Sequence, residues 1–161
     1  MDAVNNDVGV EQDVYHMLIK TFLLLDDCDR RFFAEYGLST RQFLTLQHLD
    51  EQRGCSMVDL SRLLLTDKSN VTGIVDRLEH LHLVSRTPDP HDRRVMLIKL
   101  TAEGIHLRDT VKTQHDMRIS ELMRTLDSTN LRCLLDHLHL ISRNIEAYLE
   151  QSNNTQKEQT R

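Results

Sequence analysis

Between residues 68 and 77 the chain places Lys68, Ser69, Asn70, Thr72, Gly73 and Arg77, and farther on it carries Asp92-Arg93-Arg94. These residue types suit hydrogen bonding to nucleic acid. An Asn amide can bond adenine through two contacts, an Arg guanidinium can fork onto guanine, and a Ser or Thr hydroxyl can bond a base or a phosphate. Small side chains at Ser69 and Gly73 allow close approach. Asp92 is repelled by phosphate, so its natural role is to hold Arg94 through a charged hydrogen bond. An Arg held on an exposed loop can enter a narrow minor groove, where negative potential is enhanced. Catalytic signatures are missing: there is no Gly-rich phosphate loop, no HExxH and no GxSxG. Neither an enzyme nor a cofactor is expected.

The elements that must position these residues follow from periodicity and punctuation. Val14, Met17, Leu18, Thr21, Leu25, Cys28 and Phe32 recur at three- and four-residue steps, predicting a helix over 10–35 that Gly37 stops. Ser39 opens a second helix, with Gln42 as capping-box partner, and Gly54 ends that element. Ser56 caps a short helix with Asp59 at its third position. Thr66-Asp67 breaks it, and a helix over 68–81 buries Val71, Ile74, Val75, Leu78 and Leu81. Two short helices joined by a tight turn form a helix-turn-helix pattern. The period then changes to two. Strands over 83–87 and 95–100 flank the turn Pro88-Asp89-Pro90-His91-Asp92, which makes a hairpin. Thr101 caps a fifth helix reaching about Thr125. In the last helix Leu131, Leu134, Leu138, Ile141, Ile145 and Leu149 form an apolar stripe. Residues 151–161 are polar and read as a disordered tail. The fold class is mostly α, with about six helices and a two-stranded wing.

Net charge is −5, which looks unfavourable for a DNA binder. Its distribution matters more. Residues 1–36 hold eight acidic and three basic side chains, so they account for the whole excess, while residues 84–101 are locally basic. The start Met1-Asp2-Ala3-Val4-Asn5-Asn6-Asp7 lacks a basic signal-peptide region, and no apolar run approaches bilayer length. A cytoplasmic location and no membrane partner are expected. Cys28, Cys55 and Cys133 are too few and too scattered for a disulfide framework. Cys28 reads first as a packing residue on the apolar stripe of the first helix. The alternative is a redox sensor, for which Cys55 and Cys133 are weaker candidates. His80 and His82, like His137 and His139, are spaced at two, which points helical side chains apart. No metal site is expected.

The stretch from Asp67 to Gly104 resembles the MarR family of multiple antibiotic resistance regulators. It includes Asn70-Val71-Thr72-Gly73-Ile74-Val75-Asp76-Arg77-Leu78-Glu79, Leu83-Val84-Ser85-Arg86, Pro88-Asp89-Pro90-His91-Asp92-Arg93-Arg94 and Leu100-Thr101-Ala102-Glu103-Gly104. The Asp-x-Arg wing followed by Leu-Thr-x-Glu-Gly is far more specific than a generic helix-turn-helix. The resemblance implies a winged-helix homodimer on a pseudo-palindromic operator of double-stranded DNA. It implies a repressor, released by a small molecule or by cysteine oxidation. By motif position Asp92 and Arg94 match the wing pair, and Ser69, Asn70, Thr72 and Arg77 match the recognition helix. The family commonly has Gly where this chain has His82. Residues 1–36 and 102–150 are expected to form the dimerisation region, and 37–101 the DNA-binding lobe. An effector pocket is expected where the first, second and fifth helices meet that lobe, with Tyr15, Phe22, Phe32, Phe33 and Tyr36 as candidate linings. A helical interaction module that kept the fold without binding DNA is the remaining alternative.

Overall fold

A computed structural model describes residues 9–159, with side chains through residue 152. The acidic start, residues 1–7, lies outside the described residues. Two compact units divide the chain at His115 and Asp116. The elements are α1 (Val10–Ala34), α2 (Thr40–His48), β1 (Cys55–Ser56), α3 (Met57–Leu63), α4 (Lys68–His80), β2 (Val84–Pro88), β3 (Met96–Leu100), α5 (Ala102–Met123) and α6 (Ser128–Gln159).

Local chemistry accounts for the boundaries. At α2 the capping box is complete: Gln42 N donates to Ser39 Oγ at 3.2 Å, and Ser39 N donates to Gln42 Oε1 at 2.7 Å. Ser56 Oγ accepts from Asp59 N at 3.1 Å and opens α3. The second helix does not reach Gly54; it ends at His48. Asp50 ends the helical path instead, because its carboxylate accepts from Gln52 N and Arg53 N and closes a tight turn. Those backbone bonds, Arg53's first, hold the Asp50 carboxyl below its usual range.

Three helices end in the same motif, with a left-handed residue followed by two reverse hydrogen bonds. After α1, Gly37 N and Leu38 N donate to Ala34 O and Phe33 O. After α3, Leu65 N and Thr66 N donate to Arg62 O and Ser61 O. After α4, His82 N and Leu83 N donate to Glu79 O and Leu78 O. Only the first uses glycine; Leu65 (φ 47°) and His82 (φ 58°) adopt the conformation at a steric cost. His82, where the family commonly has Gly, thus takes the left-handed position itself. Thr101 Oγ1 secures it by donating to His82 O at 2.7 Å.

The sheet has three strands rather than two, in the order β1-β3-β2, all antiparallel. Cys55 pairs with Ile98 and Ser56 with Leu97, a two-residue strand too short for periodicity to reveal. One core binds the first unit: Phe33, Phe43, Leu46, Leu60, Val71, Val75, Leu78, Ile98 and Val111 are buried together. The end of α1 and the first half of α5 therefore share the core of the helix-turn-helix and sheet.

In the second unit, α6 begins where Asp127 Oδ1 accepts from Thr129 N and Asn130 N. It continues to Gln159, across most of the stretch read as a disordered tail. Residues 151–159 contain no Pro or Gly to break a helix, and Gln, Lys and Glu favour it. None of residues 116–152 is buried, so Leu134, Ile145 and Leu149 keep their apolar surface open. Among the described residues no helix is long and apolar enough to cross a membrane.

Candidate nucleic-acid interface

The inward residues of α4 are Val71, Ile74, Val75 and Leu78, all buried. Helical geometry then forces Lys68, Ser69, Asn70, Thr72 and Arg77 outward, where all five are exposed; Gly73 is half-buried. Asn70 Nδ2 reaches back to Thr66 Oγ1 at 3.3 Å, and Thr72 Oγ1 donates to Lys68 O at 3.0 Å. These contacts restrain the two side chains, and the Asn70 amide oxygen is not engaged by them. Arg77 and Lys68 have no partner among the described residues. Asp67 occupies the N-cap position, but its side chain makes no capping bond. The first-turn amides of α4 therefore carry no side-chain cap.

Proline and two carboxylates shape the wing tip. Asp89 Oδ1 accepts from His91 N at 2.7 Å, Asp89 N donates to Val95 O, and Val95 N donates to Asp92 O. This turn presents Asp92 to Arg94. Arg94 Nε and Nη2 donate to the two Asp92 oxygens at 2.9 Å each, and Arg94 N donates to Oδ1 at 3.1 Å. Arg94's side chain is still 90% exposed. The fork orients the guanidinium without burying it. Its side-chain bond, then its backbone bond, holds the Asp92 carboxyl below the usual carboxylate range, and the same pairing raises Arg94. Arg93 is exposed beside it, with no partner among the described residues.

Sequence reasoning counted Arg86 only as a basic wing residue. The structure makes it a clamp. From β2 it donates Nη1 to Glu79 Oε2 at 2.6 Å and Nη2 to Asp76 Oδ1, both on α4. One guanidinium ties the wing strand to α4 and neutralises two carboxylates on that helix. Two acids three residues apart, followed by a lone Arg in the next strand, was the available signal.

At the junction of α4, β2 and α5, Gly104 is obligatory. A Cβ there would collide with Leu83 O and lie 2.9 Å from the Leu83 carbonyl carbon. Thr101 Oγ1 caps this turn by accepting from Gly104 N at 3.0 Å. The Leu-Thr-x-Glu-Gly motif is therefore a packing requirement behind the wing.

The expected pocket residues separate. Phe33 is a core residue, 1% exposed, its ring stacked on Phe43 at 4.4 Å. Phe32 is also buried, against Tyr36 at 5.3 Å, so neither Phe lines an open crevice. Adjacent aromatics at the end of α1 fill the space against α2. Tyr15 and Phe22 lie on the exposed length of α1. His115 stacks on Phe32 at 5.4 Å and places Nε2 3.0 Å from Asp29 Oδ1. Cys28 is half-buried, and Arg30 and Arg31 both pair with Asp27 rather than turn to the thiol. Burial and then Asp59 push the Cys55 thiol up.

The MarR family model matches residues 36–95. The HTH-type transcriptional repressor NicR of Pseudomonas putida is 31% identical over 107 residues, covering 66% of this chain and 68% of NicR. The HTH-type transcriptional regulator PecS of Dickeya dadantii is 30% identical over 143 residues, covering 81% of this chain and 86% of PecS. The chain belongs to the MarR family. The crystal structure of CouR from Rhodococcus jostii RHA1, bound to p-coumaroyl-CoA, superposes with a TM-score of 0.70. It is 29% identical and covers 88% of this chain and 95% of CouR. As a MarR-family protein the chain is a DNA-binding transcriptional regulator with a winged helix-turn-helix.

Proposed function

We propose that this MarR-family chain works in the cytoplasm as a homodimeric repressor and binds rather than catalyses. In this reading α4 of each protomer enters successive major grooves of a pseudo-palindromic site, about 34–36 Å apart. Asn70, Thr72 and Arg77 face base edges, Lys68, Ser69 and Arg93 face phosphate, and Arg94 enters the minor groove. The observation carrying this reading is the Asp92–Arg94 fork, which holds a nearly fully exposed guanidinium in one orientation. A second copy covers apolar surface that one copy leaves open: Val14, Met17 and Phe22 on α1, and Leu134, Ile145 and Leu149 on α6. The segments 1–36 and 102–150 supply that pairing. Release follows a small organic ligand, as the bound state of CouR suggests by analogy.

The test is DNA binding to the region upstream of the protein's own gene, followed across salt concentrations. Arg94→Ala removes one guanidinium per protomer. It should weaken binding by roughly 1–3 kcal/mol per half-site and lower the salt slope by about 1 per contact. Because Arg94 is exposed, thermal stability should hold. Equal affinity for Arg94→Ala and wild type would remove the wing from the interface. Truncation after residue 130 should give monomers, and persisting dimers would refute the pairing.

A further inference from the structure

We propose that Thr66, in the turn before α4, is a positioning residue that holds the Asn70 amide and so makes α4 prefer adenine over guanine at one operator position. The inference rests on Asn70 facing base edges. Thr66 is itself fixed from behind. After the left-handed Leu65, Thr66 N donates to Ser61 O at 3.1 Å, which ties the residue to the end of α3. Thr66 is half-buried, and its hydroxyl accepts from Asn70 Nδ2 at 3.3 Å, reaching past the N-cap residue Asp67.

That bond uses one donor. A primary amide has two N–H donors and one acceptor oxygen. With one N–H on Thr66, Asn70 keeps one N–H and its Oδ1 for a base. In the major groove adenine presents an acceptor at N7 and a donor at N6, which is the matching pair. Guanine presents two acceptors, N7 and O6, and would need both amide hydrogens. Reading guanine therefore breaks the Thr66 bond, whereas reading adenine keeps it. The bond is slightly longer than the usual range of about 2.7–3.2 Å, which places it at the weak end for a neutral hydrogen bond. Its contribution is then about a 2- to 3-fold preference per half-site.

The test is competition binding with the DNA upstream of the protein's own gene, each base pair substituted in turn in both half-sites. Asn70→Ala identifies the position as the one where its base preference disappears, and wild type should prefer A·T over G·C there. Thr66→Val keeps the branched shape and the backbone bond to Ser61 O but removes the hydroxyl. It should lower the adenine preference about 4- to 9-fold with both half-sites changed, at that position alone and with the salt slope unmoved. Thr66→Ser should retain the wild-type preference, and Thr66→Val added to Asn70→Ala should change it no further. Circular dichroism confirms that each variant folds. A wild-type preference for guanine, a full adenine preference in Thr66→Val, or a loss spread over other positions would overturn the role of Thr66 while Arg94→Ala still weakens binding. Unchanged affinity in both Arg94→Ala and Asn70→Ala would instead remove the interface on which the inference rests.

Discussion

Gly104→Ala gives opposite predictions from helix propensity and from packing. Alanine is the better helix former by about 1 kcal/mol, so propensity alone predicts a more stable protein. The structure reverses the sign. The added methyl would stand 2.9 Å from the Leu83 carbonyl carbon, closer still to its oxygen, and 3.3 Å from Leu100 Cδ2. Carbon contacts settle at about 3.5–4.0 Å, so backbone must withdraw. Overpacking of this kind costs about 1–3 kcal/mol. The displaced oxygen also accepts from Thr101 N at 3.1 Å, and losing that bond adds about 1 kcal/mol. After the propensity gain, a loss of about 1–3 kcal/mol remains. At this chain length each kcal/mol moves Tm by about 2–4 °C, so the melting point should fall by roughly 2–12 °C. Thermal unfolding followed by circular dichroism measures it. An unchanged or higher Tm would show that the turn behind the wing is not packed as described.

Other outcomes follow from the strained cap, the clamp and the wing pair. Leu65 is 92% exposed at a positive φ, so Leu65→Asn should relieve about 1 kcal/mol of strain and raise Tm by a few degrees; a lower Tm would mean that the side chain has a hidden contact. Arg86→Met should cost under about 1 kcal/mol of stability, because the ion pairs are partly exposed, yet weaken DNA binding by baring Asp76 and Glu79 toward phosphate. Unchanged DNA affinity at low salt would refute the clamp. Arg94 lowers the folded-state pKa of Asp92, so the pair's contribution is complete above the ordinary Asp range and fades as pH falls through the lowered value. Carbon NMR of the Asp92 carboxyl should give a lower midpoint in wild type than in Arg94→Ala, and equal midpoints would count against the fork.

Long periodic elements and their caps were legible in the sequence because one local rule decides each. Ser39 with Gln42, Ser56 with Asp59, and Thr101 all read directly as helix starts. The outward face of α4 followed from its buried one, and the Asp92–Arg94 pairing from charge and spacing. Contacts distant in the chain were not legible. Nothing local couples Cys55 to Ile98, Arg86 to Asp76, or His115 to Asp29. The same limit misplaced Phe33, whose burial depends on Phe43 in another helix. The end of α6 was misread for a different reason: polar residues without an apolar anchor suggest a tail, yet helix formers without a breaker extend a helix already begun.

The central position of β3 gives the DNA-facing region a mechanical property. One edge of β3 carries the wing strand β2, and the other is paired to Cys55–Ser56, where Ser56 caps α3. The wing hairpin is therefore tied by backbone pairing at Leu97 and Ile98 to the start of the helix-turn-helix, so the cap of α3 and the wing share one strand rather than a flexible linker.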